Sequence, residues 1–274
     1  MSVDQAAANR ANAAFWNELC GTSMARSLGI TGAEPDALKR FDTAYFDFYP
    51  YLKDYVDRYD LRGAGVLEIG LGYGTLGQYI AERGADYYGI DIASTPVEMM
   101  RHRLRMLGRP NDHRIVQGSA LELPFADRTF DYVYSIGCLH HTGDLQRGVD
   151  DVWRVLKSGG TAILMLYNRY SARQLWRIDR RRLTGALRGR GRPSAEQIRG
   201  LYDVNTSLEA APHTDFTSRK DARRLLRRFS RVQIEAKNFD NATFRGRRLF
   251  AREQLLRTPL PRVLGLDLYI VATK

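Results

Sequence analysis

The sequence predicts a doubly wound α/β fold: a mostly parallel, seven-stranded sheet with helices on both faces. Three observations predict it. From Gly65 onward, short apolar runs alternate with amphipathic stretches, a β-α-β-α rhythm that buries parallel strands between helical layers. A glycine-rich turn, VLEIGLGYG at residues 66–74, joins the first strand to the helix that follows. A carboxylate, Asp91, closes the second strand.

The elements follow in order. Residues 1–60 read as a helical cap segment. Its aromatic stretch FDTAYFDFYPYLKDYVDRY, interrupted by Pro50, reads as a helix packed on the sheet. The core is expected over 61–167. Residues 66–69 form a buried strand, and 73–82 a helix closed by Gly84 at its C′ position. Residues 87–90 form the second strand. Thr95-Pro96-Val97-Glu98 supplies an N-cap, a proline at the first helical position and an acid at N3, so a helix is expected up to Leu107, stopping at Gly108. Residues 115–117 and 132–136 are the third and fourth strands. A helix over 145–156 places Leu145, Val149, Val152, Trp153 and Leu156 on one face. Gly159-Gly160 turns into a fifth strand over 161–166.

Past Tyr167 the rhythm loosens. Residues 168–274 are expected to complete the sheet with strands at 231–236 and 266–272. A helix capped by Thr217 or Ser218 turns Ala222, Leu225, Leu226 and Phe229 inward. A basic helix over 171–183 and a loop over 185–193 are expected. The stretches 168–215 and 237–265 read as substrate-side insertions.

Composition narrows the function classes. The 274 residues carry a formal charge of +11, with the basic excess after Tyr167 and rich in arginine. It reads as a solvated basic face, with nucleic acid as the secondary alternative. Cys20 and Cys138 stand far apart without CxxC spacing, so neither a disulfide framework nor a metal site is expected and a reducing compartment fits. The N-terminus has no apolar leader, and the longest apolar run, 162–167, is too short to span a bilayer. The expectation is a cytoplasmic chain.

The chemistry concentrates at the strand ends. Glycines at 70, 72 and 74 let the backbone turn sharply and let a ligand approach the helix N-terminus without meeting a Cβ. Asp91 can accept two hydrogen bonds from a ribose diol. Gly72, Gly74 and Gly77 also spell GxGxxG, the dinucleotide fingerprint. Glu68 argues against that reading, since dinucleotide enzymes usually remain apolar at this strand end.

Three segments, VLEIGLGYGTLGQYIAERGADYYGID, GSALELPFADRTFDYVYSIGCLHHTGD and VWRVLKSGGTAILMLYN, together resemble class I S-adenosylmethionine-dependent methyltransferases. The likeness covers about 61–167 and is greatest to the group that includes quinone and small-molecule methyltransferases. It implies a Rossmann-like methyltransferase fold with S-adenosyl-L-methionine as cofactor. It also implies that Glu68 and the loop Gly70, Gly72 and Gly74 hold the methionine part, that Asp91 binds the ribose and that Ile92 packs on the adenine. Ser119 and Ala120 follow the third strand. Ser119 stands where the family often has an acid, leaving the adenine amine to a hydroxyl, to backbone groups or to both. Leu121 would cover the other ring face, and Gly137 would border the sulfonium.

His140 and His141 are the candidate catalytic bases, with loop ordering as the alternative role. Tyr167 and Asn168 end the fifth strand and are candidate acceptor contacts. Arg169, Arg173, Arg177 and Arg180 recur at helical spacing and read as a solvated stripe or an anion dock. Trp16 reads as a core anchor, with a place over the cofactor as the alternative, and Cys138 as a packing residue.

The expected reaction is methyl transfer to a small-molecule acceptor, on oxygen or else on nitrogen or carbon, in natural-product or sugar modification. SIGCLHH stands where an Asn-Pro-Pro-Tyr signature would mark methylation of a base amine. The alternatives are an RNA or protein methyltransferase docking through the Arg-rich C-terminal half, a non-catalytic cofactor-binding protein, and a nicotinamide oxidoreductase.

Overall fold

The computed structural model describes residues 5–19, 22–110, 112–175, 194–244 and 247–274. The chain opens with four helices, α1 (Gln5–Leu19), α2 (Thr22–Ser27), α3 (Pro35–Phe48) and α4 (Asp54–Asp57). The core then alternates β1 (Gly65–Ile69), α5 (Thr75–Glu82), β2 (Asp86–Asp91), α6 (Ser94–Met106), β3 (Ile115–Gln117), β4 (Phe130–Ile136), α7 (Leu145–Val155) and β5 (Leu156–Tyr167). After β5 come α8 (Ala195–Arg199), α9 (Arg219–Leu225), β6 (Arg231–Lys237), the ribbon β7 (Ala242–Phe244) and β8 (Arg247–Phe250), and β9 (Asp267–Thr273).

Seven strands form one sheet in the order β3-β2-β1-β4-β5-β9-β6. The neighbours from β3 to β5 pair in parallel, and β9 runs antiparallel to both β5 and β6. The strands in the middle are apolar on both faces because helices cover both. Leu67, Val133 and Leu164 pack into one core, with α7 and α9. Their chain neighbours Val66, Tyr134 and Ile163 pack into the other, under α4, α5 and α6. Successive side chains of a strand point to opposite faces, so two cores are built from one set of strands. From β1 the chain winds outward through β2 and β3, then returns to place β4 on the other side of β1. This reversal opens a crevice beyond the C-terminal ends of β1 and β4.

The aromatic stretch of the cap packs on the sheet as expected. Tyr55 stacks on Tyr269 with ring centroids 5.0 Å apart, and Tyr134 donates its hydroxyl to the Tyr55 carbonyl. Arg103 of α6, fully buried, forms a two-pronged ion pair with Asp42 of α3, both contacts 2.9 Å long. That pair fastens the cap to the core.

Several boundaries differ from the sequence reading. Thr95 does not cap α6; the helix starts at Ser94 after Ala93. Asn17 of α1 serves that helix end instead, accepting from the Ser94 hydroxyl and the Thr95 N–H. Pro96 falls in the first turn, where its missing N–H is not needed. α5 starts at Thr75, because Gly74, at φ +77°, is its N-cap. Gly159 and Gly160 lie within β5 rather than before it. The strand begins at Leu156 opposite Phe130, and a register shift between Phe130 and Tyr132 absorbs the extra residues. Ser218, not Thr217, caps α9, accepting from the Asp221 N–H. The stretch 237–265 contains the β7–β8 ribbon and two short helices, Arg252–Leu256 and Leu260–Leu264. Residues 172–175 of the expected basic helix are helical. The rest of that helix, with Arg177 and Arg180, the 185–193 loop and Cys20 lie outside the described residues.

Candidate functional site

A cleft of about 220 Å³ occupies the crevice. Its walls come from the ends of four parallel strands and from α1. Gly70 and Gly72 follow β1, Asp91 and Ile92 close β2, Ser119 and Ala120 follow β3, and Gly137 and Cys138 follow β4. His141 and Thr142 continue that wall, and Asn9, Asn12 and Trp16 of α1 form the cover.

Backbone geometry shapes the β1 end. Gly70 sits at φ +85°, and a Cβ there would lie 2.4 Å from Cys138 Cβ. The turn after β1 therefore packs directly on the residue after Gly137, which gives Cys138 the packing role expected of it. Gly72, at φ +52°, would meet nothing within 4 Å and faces open space. Gly74 does not reach the cleft. Its own missing Cβ makes room for Arg103.

Asp91 is held from behind. Oδ2 accepts the Leu71 N–H at 2.8 Å and Oδ1 the Ala93 N–H at 2.9 Å. Burial nonetheless raises its pKa above the ordinary carboxylate value. The backbone N–H groups of Gly72 and Ile92 add to this anchoring, and the carboxylate lines the cleft at the end of β2. Ser119 Oγ accepts the Leu121 N–H, at 3.2 Å, which bends the chain after β3. Leu121 itself is buried against α7 and stays away from the cleft.

Glu68 also lies behind the wall. It is 3% exposed and accepts a hydrogen bond from the Tyr87 hydroxyl. Burial, reinforced by the nearby Asp91, pushes its carboxyl up to about 8, against the Tyr87 hydrogen bond. A Cβ at Gly77 would collide with both groups, so the third glycine of GxGxxG accommodates this buried pair.

The two histidines part company. His140 is fully buried between His141 and Tyr167, with ring centroids 4.2 Å from each. Burial drives its pKa well below the ordinary imidazole value. The Met165 backbone opposes that effect, but no hydrogen bond of full geometry reaches either ring nitrogen among the described residues. His140 is thus packed behind the cleft wall and does not line the cleft. His141 lines the cleft, against the Trp16 ring at 4.7 Å. Its Nδ1 is 2.8 Å from the His213 carbonyl oxygen and its Nε2 3.7 Å from Asp203. Burial lowers its pKa, and the Asp203 charge opposes this.

Tyr167 and Asn168 do not line the cleft. Tyr167 packs behind the histidines and donates its hydroxyl to Asp203 at 3.0 Å. Asn168 is a structural residue: its amide donates to the Gly265 carbonyl and its oxygen accepts the Tyr170 N–H. Of the basic stripe, Arg173 is paired with Asp240 by two hydrogen bonds, and Arg169 donates to the Phe216 carbonyl.

The sequence alone does not single out Asn9, Asn12, Thr142 or Asp203. Asn12 is 3% exposed; its Nδ2 donates to the His141 carbonyl, whereas its Oδ1 has no partner among the described residues. A buried acceptor without a donor is costly unless a ligand supplies one. That orphaned oxygen, the open face at Gly72 and the carboxylate at the end of β2 fit a nucleoside with polar substituents.

Comparison with known proteins agrees with this geometry. Residues 67–164 match the methyltransferase domain family. Fatty-acid O-methyltransferase of Mycolicibacterium smegmatis is 32% identical over 135 residues, 48% of this chain and 46% of that protein. Demethylmenaquinone methyltransferase of Tropheryma whipplei is 32% identical over 102 residues, 37% of this chain and 41% of that protein. The chain spans less than half the length of these curated relatives. A solved SAM-dependent methyltransferase from Thermotoga maritima superposes with a TM-score of 0.51 at 17% identity, covering 86% of this chain and 97% of that one. Residues 67–164 are thus similar to a methyltransferase domain, the fold is that of S-adenosylmethionine-dependent methyltransferases, and both likenesses imply S-adenosylmethionine as the cofactor.

Proposed function

We propose that the protein transfers a methyl group from S-adenosylmethionine to an oxygen of a small-molecule acceptor, with His141 as general base. One observation carries the reading. The only imidazole lining the cleft among the described residues is His141, and it stands on the same wall as Gly137 and Cys138, beyond the strand ends that form the cofactor side.

In this reading Gly70 and Gly72 cradle the amino-acid part of the cofactor, and Asp91 binds the ribose hydroxyls. Ile92, Ser119 and Ala120 surround the adenine, and Asn12 Oδ1 accepts an N–H of the cofactor. Trp16 and α1 exclude water from above. The bound cofactor supplies a methyl group already activated on a sulfonium. What remains for the chain is alignment, worth roughly 7–11 kcal/mol of barrier, and removal of the acceptor's proton, worth about 10²–10⁴-fold. The relatives named above act, by their names, on a fatty acid and on demethylmenaquinone, which supports a small acceptor. Because a base serves only an acceptor that carries an O–H proton, quinols and phenols are the first compounds to try. A role in natural-product or sugar modification remains compatible with the same site.

The test is transfer of labelled methyl from S-adenosylmethionine to a panel of fatty acids, quinols, phenols, amines and sugars, with total RNA and protein alongside. Saturable labelling of an oxygen acceptor, lost in His141→Ala, is expected. Labelling of RNA or protein alone would overturn the reading.

A further inference from the structure

The stretch 194–216 contributes no strand to the sheet, yet several of its groups converge on His141 and Tyr167. The Asp203 carboxylate accepts the Tyr167 hydroxyl at 3.0 and 3.2 Å and stands 3.7 Å from His141 Nε2, with its side chain 17% exposed. The His213 carbonyl oxygen lies 2.8 Å from His141 Nδ1. The rings of Tyr202 and Phe216 close on Tyr167 from outside. The segment is itself pinned, because Arg199 and Ala211 hold the Asp203 backbone at its N–H and its carbonyl.

These contacts assign the imidazole's protons. A carbonyl oxygen can only accept, so Nδ1 carries the hydrogen and donates it. Nε2 is then the basic nitrogen, and it faces a carboxylate. That juxtaposition is poor while Nε2 presents a lone pair and becomes an ion pair once Nε2 is protonated. An interaction that forms only as the proton arrives lowers the barrier without tightening ground-state binding.

We propose that Asp203 is a positioning residue for His141: its carboxylate holds the imidazolium formed at Nε2, while the His213 carbonyl fixes the tautomer. The proposal rests on the reading of His141 as base. As the methyl group joins the acceptor, the acceptor's O–H bond breaks and its proton goes to Nε2. The oxygen's lone pair forms the new O–C bond, sulfur keeps the electron pair of the broken S–C bond, and Nε2 later releases the proton to solvent. Besides Asp203, the groups facing His141 are His140, Tyr167, His213 and Asp215. Asp203 is the foremost of those that favour the charged ring.

The test is ¹H–¹⁵N correlation spectroscopy of the full chain labelled in histidine, titrated from about pH 4 to 8, with His141 assigned through His141→Gln. The wild type is expected to show the neutral ring protonated at Nδ1. In Asp203→Asn the His141 midpoint should fall by about one pH unit or more, the scale for removing an opposite charge at this range. Asp203→Glu should restore part of the shift. Superimposable titrations of wild type and a folded Asp203→Asn would overturn the proposal, as would a neutral ring protonated at Nε2. If the Asn variant does not fold, the wild-type tautomer and the midpoint of Asp203→Ala decide, and an unmoved midpoint in Asp203→Ala overturns the proposal. S-adenosylhomocysteine binding is measured in parallel. Its absence in the wild type sinks the methyltransferase reading, whereas intact binding with an unmoved His141 titration overturns the role of Asp203 alone.

Discussion

At the β1–β3 end of the cleft the walls are backbone turns, whereas at the His141 end they are side chains held by a distant segment. Gly70 and Gly72 shape the first end through positive φ, and Asp91 is fixed by N–H groups of Leu71 and Ala93, 20 and 2 residues away. His141 is fixed by groups such as the His213 carbonyl, 72 residues away. The first end can be written in a short motif. The second depends on how the segment 194–216 docks, so its chemistry can change without disturbing the fold.

Substitutions can separate the two ends. His141→Ala should have the largest effect, lowering turnover roughly 10²–10⁴-fold with S-adenosylhomocysteine affinity nearly intact. Loss of that affinity would mean that the ends are not separable. Gly70→Ala should act on the opposite end. Its Cβ would meet Cys138 Cβ at 2.4 Å, and overpacking together with the left-handed φ should cost about 2–4 kcal/mol of stability, read by urea unfolding. Asp91→Ala should weaken S-adenosylhomocysteine binding by about 1.5–3 kcal/mol in calorimetry. Unchanged affinity would remove Asp91 from the site.

Smaller effects test the parts behind the walls. Glu68 has its carboxyl raised to about 8 from an ordinary 4.5. The folded chain holds this proton more tightly than the unfolded chain, so its contribution to stability is full below the ordinary value and is lost as pH rises towards 8. Glu68→Gln should therefore lose less thermal stability than the wild type between about pH 5 and 8. A slope equal to that of the wild type would show that Glu68 is ionised in the folded chain. Asp267, pushed by burial up to about 7, adds a slope of the same sign that this variant keeps. Asn12→Ala should weaken cofactor binding least, by about 0.5–1.5 kcal/mol.

What the sequence could show follows the same division. The strands, the winding order and the β1–β2 turns were legible because apolar periodicity and glycines act over a few residues. Glu68 was legible as an unusual acid but not as a buried one, since its partner Tyr87 is set by the neighbouring strand. Thr95 had the composition of a cap, but tertiary contact with Asn17 replaced it. Asn168 had the position of an acceptor contact, but Gly265 and Tyr170 satisfy its amide. In sequence both His140 and His141 are base candidates, His141 slightly ahead. Only the docking of 194–216 and α1 distinguishes the packed ring from the one facing the cleft. Asp203 carried no local signal, because an isolated Asp in a loop looks like any solvated one.

We infer that the cleft is a cofactor site for S-adenosylmethionine and not for a dinucleotide. Isothermal titration calorimetry of the full chain with S-adenosylhomocysteine, and with NAD in a separate titration, tests it most directly. Roughly micromolar binding of S-adenosylhomocysteine and none of NAD is predicted. Binding of NAD without S-adenosylhomocysteine would make the cleft a dinucleotide site instead.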